Sequence, residues 1–431
     1  MPETLADWLT HLEAQHPRGA AGIELGLERV SAVSRALGQR QLVPLITVAG
    51  TNGKGSTCAM LERILDCAGY RVGLYTSPHL LDYTERVRIG GAAIAAEALC
   101  ASFARVEAAR ATIADTVLTY FEFGTLAAWE CFAAAGVDVI VLEVGLGGRL
   151  DAVNIYDADC AIVTAIDIDH TDYLGVTRED IGFEKAGIFR SGRPAICADA
   201  DPPSSLAGHA DMIGASLRLI GCDFGYLREQ GQWKFWSHED GRKTRRGGLP
   251  YPGLPGLAQL QNASGALAAL EALHARLPVT LQNIRHGLSE VKLAGRFQVL
   301  LGRPTIVLDV AHNPQAARTL ADNLESQLPE QASLAETWAV FGMLRDKDIA
   351  AVVRALVGRV TRWLPCSLSG ARAASAAELS RVLTDQGITP IKCFASPAEA
   401  FRHAQENAGG DDRILVFGSF QTVADVLHEL A

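Results

Sequence analysis

The chain has no run of basic residues, and its net charge is −10 over 431 residues. A nucleic-acid-binding surface must neutralise phosphates with lysine and arginine, so nucleic acid is not an expected partner. No stretch of 18 apolar residues occurs. Residues 1–15 carry acidic side chains and Trp8 in a helical pattern, not a basic segment ahead of an apolar one. Neither a membrane span nor a secretory leader is expected, and the chain reads as cytoplasmic. The nine cysteines include no Cys-x-x-Cys pair and sit mostly in apolar stretches. They read as buried reduced thiols, not as a zinc site or a disulfide framework. There is no internal repeat and no low-complexity segment.

What is present points to a soluble α/β protein. Apolar residues make up 48% and charged residues 20% of a chain too long for one ordinary core, so two domains are expected. Short apolar runs alternate with longer helical patterns, the signature of βαβ units and a mostly parallel sheet. Strands are expected at residues 45–49, 72–75, 137–144, 161–166 and 194–197. Residues 56–68 put Met60, Leu61, Ile64, Leu65 and Ala68 on one helical face, and Gly69 stands where a helix end takes a left-handed residue. From about residue 218 to 248, polar pieces punctuated by Trp233, Phe235 and Trp236 read as a small antiparallel addition. A Pro/Gly-rich run at 247–256 then precedes a helix at 259–273. A second alternating series starts near 292–297, with strands expected at 305–310, 338–342 and 414–418. The expected division is residues 1–294 and a smaller α/β domain over 295–431.

The sharpest local signal is Val-Ala-Gly-Thr-Asn-Gly-Lys-Gly-Ser-Thr over residues 48–57, between an apolar strand and an amphipathic helix. Glycines let backbone N–H groups approach phosphate oxygens, and a helix N-terminus adds favourable partial charge. Lys54 would reach the terminal phosphates, with a hydroxyl of Ser56 or Thr57 assisting. The spacing departs from Gly-x-x-x-x-Gly-Lys-Ser/Thr because the first loop is short and Gly55 follows the lysine.

Other polar residues end apolar runs. Glu143 closes one, and a glycine loop follows. Ligands of open α/β sheets gather at such strand ends, which makes Glu143 a candidate magnesium ligand; a solvated strand-end carboxylate is the plainer reading. His170 leaves the next strand and either adds a nitrogen ligand or is structural, since magnesium prefers oxygen. Taken alone, Lys185 reads as a surface lysine. Asp309 lies inside an apolar run, where an ionised group needs a partner, and His312 follows it. Asn262 and Arg296 are polar groups near domain junctions, with no stronger claim. These residues reach a two-domain, magnesium-nucleotide-using α/β enzyme but not its substrate.

Taken together, these stretches resemble the folylpolyglutamate synthase family, in its bacterial form that also acts as a dihydrofolate synthase and belongs with the Mur peptidoglycan ligases. The resemblance runs from Gly-Leu-Glu-Arg at 26–29 to Gly-Ser-Phe-Gln-Thr-Val at 418–423. It is most specific in residues 50–57, Ser-Pro-His-Leu at 77–80, Tyr-Thr-Glu-Arg-Val-Arg at 83–88, Thr-Tyr-Phe-Glu-Phe at 119–123, and residues 143–154, 169–175, 184–190 and 309–314. It implies an N-terminal P-loop, Mur-ligase-like domain with a mostly parallel sheet, and a Rossmann-like C-terminal glutamate-ligase domain.

The resemblance also implies site roles. Gly50, Thr51, Asn52, Gly53, Lys54, Gly55, Ser56 and Thr57 would hold the ATP phosphates, and Asn262, Arg296 and Asp309 would contact ATP. Ser77, Glu143 and His170 would bind magnesium, with Lys185 in the position of a carbamylated lysine that would hold a second ion. His312 would sit beside the nucleotide, and with Lys54 and Lys185 completes the expected catalytic set. Leu25, Gly26 and Leu27, Thr119, Tyr120, Phe121 and Glu122, and Leu150, Asp151 and Ala152 match the stretches that hold the pterin. The implied reaction activates a folate-type carboxylate as an acyl phosphate and joins L-glutamate to it. Dihydropteroate and tetrahydrofolate would be the acids, with ATP and magnesium as cofactors and a monomeric enzyme as the agent. A Mur-type ligase acting on a non-folate acid would share the chemistry. A P-loop switch or regulatory ATPase is the alternative of a different class; a GTPase of that kind would carry Asn-Lys-x-Asp, and none is present.

Overall fold

The structure, a computed structural model, describes residues 2–15, 19, 22–239, 242–256, 258–326 and 335–430. Met1, part of the segment read as helical, lies outside them. The chain divides into two compact units, Met1–Gly253 with Leu260–Val291, and Leu254–Gln259 with Lys292–Ala431. This departs from a division after residue 294, because the segment at 254–259 joins the second unit. There Gly256, at φ +115°, packs so closely on the Asn323 amide that a Cβ would overlap it.

The first unit is built on eight strands: β1 (Leu45–Ala49), β2 (Val72–Tyr75), β3 (Val87–Ile89), β4 (Ala92–Ala93), β5 (Val139–Glu143), β6 (Cys160–Val163), β7 (Pro194–Cys197) and β8 (Ser216–Leu219). Their order is β4-β3-β2-β5-β1-β6-β7-β8. Pairing is parallel from β2 to β8, and β3 and β4 fold back antiparallel at one edge. Central strands are covered on both faces and so read as unbroken apolar runs; β1, β2 and β5 are buried throughout. The expected strand at 161–166 is shorter, because beyond Val163 the chain leaves the ladder to bond with the loop after β1. The polar segment near 218–248 forms a separate antiparallel sheet of β9 (Phe224–Glu229), β10 (Gln232–Glu239) and β11 (Arg242–Leu249).

Aromatic packing fixes the helical layer. Trp8, on the helix Leu5–Gln15, has its ring 5.7 Å from Phe103 and 6.5 Å from Phe123. It thereby ties that helix to the helices Ala96–Arg110 and Tyr120–Ala135. Trp129 stacks on Tyr156 at 3.6 Å. Rings of this size bury large apolar areas and add directional contacts.

The second unit has five strands, β12 (Gln298–Leu300), β13 (Thr305–Asp309), β14 (Thr337–Phe341), β15 (Arg362–Pro365) and β16 (Arg413–Phe417), in the order β12-β13-β16-β14-β15. Only β12 is antiparallel to its neighbour. Phe341 packs against Phe417 at 5.0 Å and Trp363 at 5.4 Å at the centre of this core. All nine cysteines are free thiols; five are buried, and Cys222 and Cys393 are exposed. Among the described residues no helix is long and apolar enough to cross a membrane.

Candidate active site

Strands β5, β1 and β6 are neighbours, so the loops leaving their carboxyl ends lie together, where open α/β sheets bind ligands. The loop after β1 runs directly into the helix Lys54–Cys67. Gly53 stands at its N-terminus with φ +93°, and a Cβ there would overlap the Oδ1 of buried Asn262. Gly50 has φ +151°, and a Cβ would collide with the Thr164 hydroxyl. The loop is sewn to the exit of β6: Thr164 Oγ1 donates to Asn52 O at 2.7 Å, and Thr51 N donates to Ala165 O at 2.7 Å. Thr51 Oγ1 also donates to Asp167 O at 3.0 Å. Lys54 Nζ donates to Gly50 O at 3.0 Å and Thr51 O at 3.3 Å, so the ammonium is folded over its own loop. Gly55 follows it in the first turn of the helix, and Ser56 and Thr57 are buried behind.

Glu143 ends β5 and is 5% exposed, and one of its oxygens accepts the Ser77 N–H at 3.2 Å. His170 precedes the short helix Thr171–Leu174 with φ +54°, its imidazole partly exposed and 4.0 Å from the Asp169 carboxylate. A hard divalent cation uses few protein ligands and completes its shell with phosphate oxygens and water. A buried carboxylate beside a phosphate loop fits that pattern, although no group of three or more His, Cys, Asp or Glu that could hold a metal occurs among the described residues.

Lys185 overturns the surface-lysine expectation: it is 3% exposed on the helix Arg178–Ala186. Burial is the main cause that brings its amine down to about 7, helped by Lys54 and opposed by Asp169 and Asp151. Asp151 is buried too, and burial pushes its carboxyl up to about 7 although it accepts N–H groups of Leu146 at 2.8 Å and Val153 at 3.1 Å. The charges of Lys54, Asp169 and Asp151 thus all bear on Lys185.

The three stretches expected to hold the pterin meet. Gly26 N donates to Leu150 O at 3.3 Å, which joins the segment of Leu25, Gly26 and Leu27 to that of Leu150, Asp151 and Ala152. Arg29 Nε donates to Glu122 at 2.9 Å, and the same carboxylate accepts Thr119 N at 2.7 Å in a capping box that starts the helix of Tyr120 and Phe121. The Phe121 ring packs so tightly over Gly145 that a Cβ there would lie 2.6 Å from it.

In the second unit, Asp309 ends β13 and accepts Phe297 N at 2.8 Å and Ala311 N at 2.7 Å; burial raises its pKa while Arg296 lowers it. The Arg296 guanidinium lies 5.0 Å from the Phe420 ring centre, and His312 lies 6.3 Å from the same ring. Arg296, Asp309 and His312 therefore gather at one end of β13. Residue patterns alone missed Thr164, Asp169 and Phe420; the closest signal was that each flanks or lies inside a motif already quoted. Asn262, which the residue pattern marked only as a polar group near a domain junction, is the side chain that Gly53 makes room for.

Residues 48–270 match the Mur ligase middle domain, and residues 295–420 match the Mur ligase glutamate ligase domain. The chain is similar to the dihydrofolate synthase/folylpolyglutamate synthase of Escherichia coli, 47% identical over 98% of this chain and 95% of that one. Its structure is similar to that of Escherichia coli FolC in complex with DHPP and ADP, with TM-score 0.90, 45% identity and coverage of 99% and 98%. It is similar also to a bifunctional folylpolyglutamate synthase/dihydrofolate synthase with Mn, AMPPNP and L-glutamate bound, with TM-score 0.89, 45% identity and the same coverage.

Proposed function

The chain belongs to the Mur ligase family, in its dihydrofolate synthase/folylpolyglutamate synthase branch, and from that premise we infer an ATP-dependent ligase that joins L-glutamate to dihydropteroate and to tetrahydrofolate polyglutamates. The observation that carries the reading is the meeting of a phosphate loop, the Glu143 carboxylate and buried Lys185 at the carboxyl ends of adjacent parallel strands. The pterin-stretch residues lie on the same unit.

The chemistry follows from these groups. When ATP enters, Lys54 Nζ exchanges the Gly50 and Thr51 carbonyls for phosphate oxygens, and the N–H groups at the start of the helix Lys54–Cys67 aim at the same charge. Ser77, Glu143 and His170 would hold a divalent cation, which when bound neutralises charge spreading over the transferring phosphoryl group. The pterin-bearing acid, held by the segments around Gly26, Thr119 and Asp151, presents its carboxylate in line with the γ-phosphate. ADP leaves and an acyl phosphate remains. The amine of L-glutamate adds to that carbonyl, and phosphate departs as the amide closes.

Lys185 we assign as a carbamate. Its lowered pKa supplies the neutral amine that adds CO2, giving an anionic oxygen pair suited to a second cation. In the second unit, Arg296 and Asp309 are the proposed nucleotide contacts, with His312 beside them. The enzyme is proposed to act in the cytoplasm, as a monomer whose two units each have their own apolar core.

Phosphate release from Mg-ATP with L-glutamate tests the reading, comparing 7,8-dihydropteroate, tetrahydrofolate and no pterin. Release with both acids and formation of both glutamylated products is expected. Release with neither, from folded protein that binds ATP, overturns it and turns attention to Mur-type acids.

A further inference from the structure

Outside the residues given roles above, one cation stands in unusual surroundings. Arg86 ends the 3-10 turn Tyr83–Arg86. Its guanidinium carbon lies 4.9 Å from the Tyr83 ring centre and 5.5 Å from that of Tyr120. Its Nε donates to His79 Nδ1 at 2.8 Å.

No carboxylate among the described residues lies within ion-pair distance of Arg86, whereas Arg29, Arg88, Arg105 and Arg110 each have one. The two acids in its own turn are engaged elsewhere. Glu85 accepts the N–H groups of Leu80, Leu81 and Asp82, and Asp82 accepts that of Thr84. Beside it the Tyr83 hydroxyl is buried and has no hydrogen-bond partner among the described residues. Residue 124 must be small to leave it room, since a Cβ at Gly124 would lie 2.5 Å from that oxygen.

A guanidinium flanked by rings bonds through its edge, and its fork of donors matches a carboxylate bidentately. We propose that Arg86 binds the carboxylate end of the pterin-bearing acid, with Tyr83 and Tyr120 holding the plane of the guanidinium. The inference rests on the functional reading above. A carboxylate is the chemistry required, and both the pterin acid and L-glutamate carry one. Tyr120, which lies in the segment assigned to the pterin, favours the former.

The test is equilibrium binding to the full chain, wild type and Arg86→Gln, of 7,8-dihydropteroate and of its counterpart lacking the carboxylate. Wild type should prefer the acid by about 10- to 100-fold, the range of a charge-assisted hydrogen bond. Arg86→Gln should bind both at the weaker level, with ATP binding and the KM for glutamate unchanged. Should that variant not fold, Arg86→Lys, which keeps the charge but not the fork, should show a reduced preference. A full preference in whichever variant folds overturns the proposal. So does a raised glutamate KM with unchanged pterin binding, which would assign the site to the amino acid. Wild type that binds neither pterin would instead sink the functional reading itself.

Discussion

Two glycines near the two ends of the phosphate-loop helix allow a controlled perturbation. Gly53 has φ +93° and lies against the Asn262 amide, whereas Gly69 has φ +88° and nothing within 4 Å of where its Cβ would stand. Alanine at either site must adopt a left-handed backbone, which costs about 1–2 kcal/mol. At Gly53 the new methyl must also displace a buried amide, which costs about 1–3 kcal/mol more if its bonds are lost. Gly53→Ala should therefore lose about 2–5 kcal/mol, or roughly 4–15 °C in Tm, and Gly69→Ala about 1–2 kcal/mol, or roughly 2–6 °C. The functional consequence is sharper than the stability one. Moving the loop backbone re-aims the N–H groups meant for phosphate, so Gly53→Ala should weaken ATP binding by about tenfold or more, a loss of about 1.4 kcal/mol. Gly69→Ala should bind ATP as wild type does. Thermal denaturation and ATP titration of the two variants decide the matter. Equal Tm losses and equal ATP affinities would refute the claim that Asn262 and Gly53 form one close-packed part of the nucleotide site.

Other outcomes are expected from the same geometry. Glu143→Ala should raise the magnesium needed for half-maximal turnover while leaving the melting curve intact, and an unchanged titration would remove Glu143 from the metal shell. Lys185→Ala should lose turnover and regain part of it with added short-chain carboxylates. Carbon dioxide adds only to the neutral amine, which at pH 7 is about half of a group with pKa about 7 but only about one part in 3,000 of an ordinary lysine. At a fixed concentration of dissolved CO2, decarbonated enzyme should therefore reactivate faster as pH rises through about 7, and a pH-independent rate would count against the carbamate. Glu122→Gln keeps the shape of the capping box but removes the charge facing Arg29. It should cost about 1–3 kcal/mol in denaturant unfolding and raise the KM for the pterin several-fold without changing that for ATP.

Much of the fold was legible because buried parallel strands announce themselves as apolar runs. Residues 45–49, 72–75 and 194–197 were placed to the residue, and Gly69 was read correctly as left-handed. Boundaries slipped where a tertiary bond overrides local pattern. Thr164 and Ala165 look like strand but bond to the loop at Thr51 and Asn52. Short edge strands such as β3 and β4 carry too few residues to show a period. The phosphate loop could be read locally because its chemistry lies within ten consecutive residues. Lys185 could not: nothing in Phe-Glu-Lys-Ala-Gly-Ile over residues 183–188 marks the lysine as buried, and it packs with loops more than thirty residues away at Arg149 and Asp151. Asn262 was equally silent, since its meaning is the space left by a glycine two hundred positions earlier. For such residues only the family resemblance supplied a role.

The central claim is that the substrate's own carboxylate attacks ATP. Dihydropteroate labelled with 18O in its carboxylate, turned over with Mg-ATP and L-glutamate, tests it most directly. One labelled oxygen should appear in each phosphate released, in step with dihydrofolate formed. Dihydrofolate accompanied by unlabelled phosphate would contradict the account.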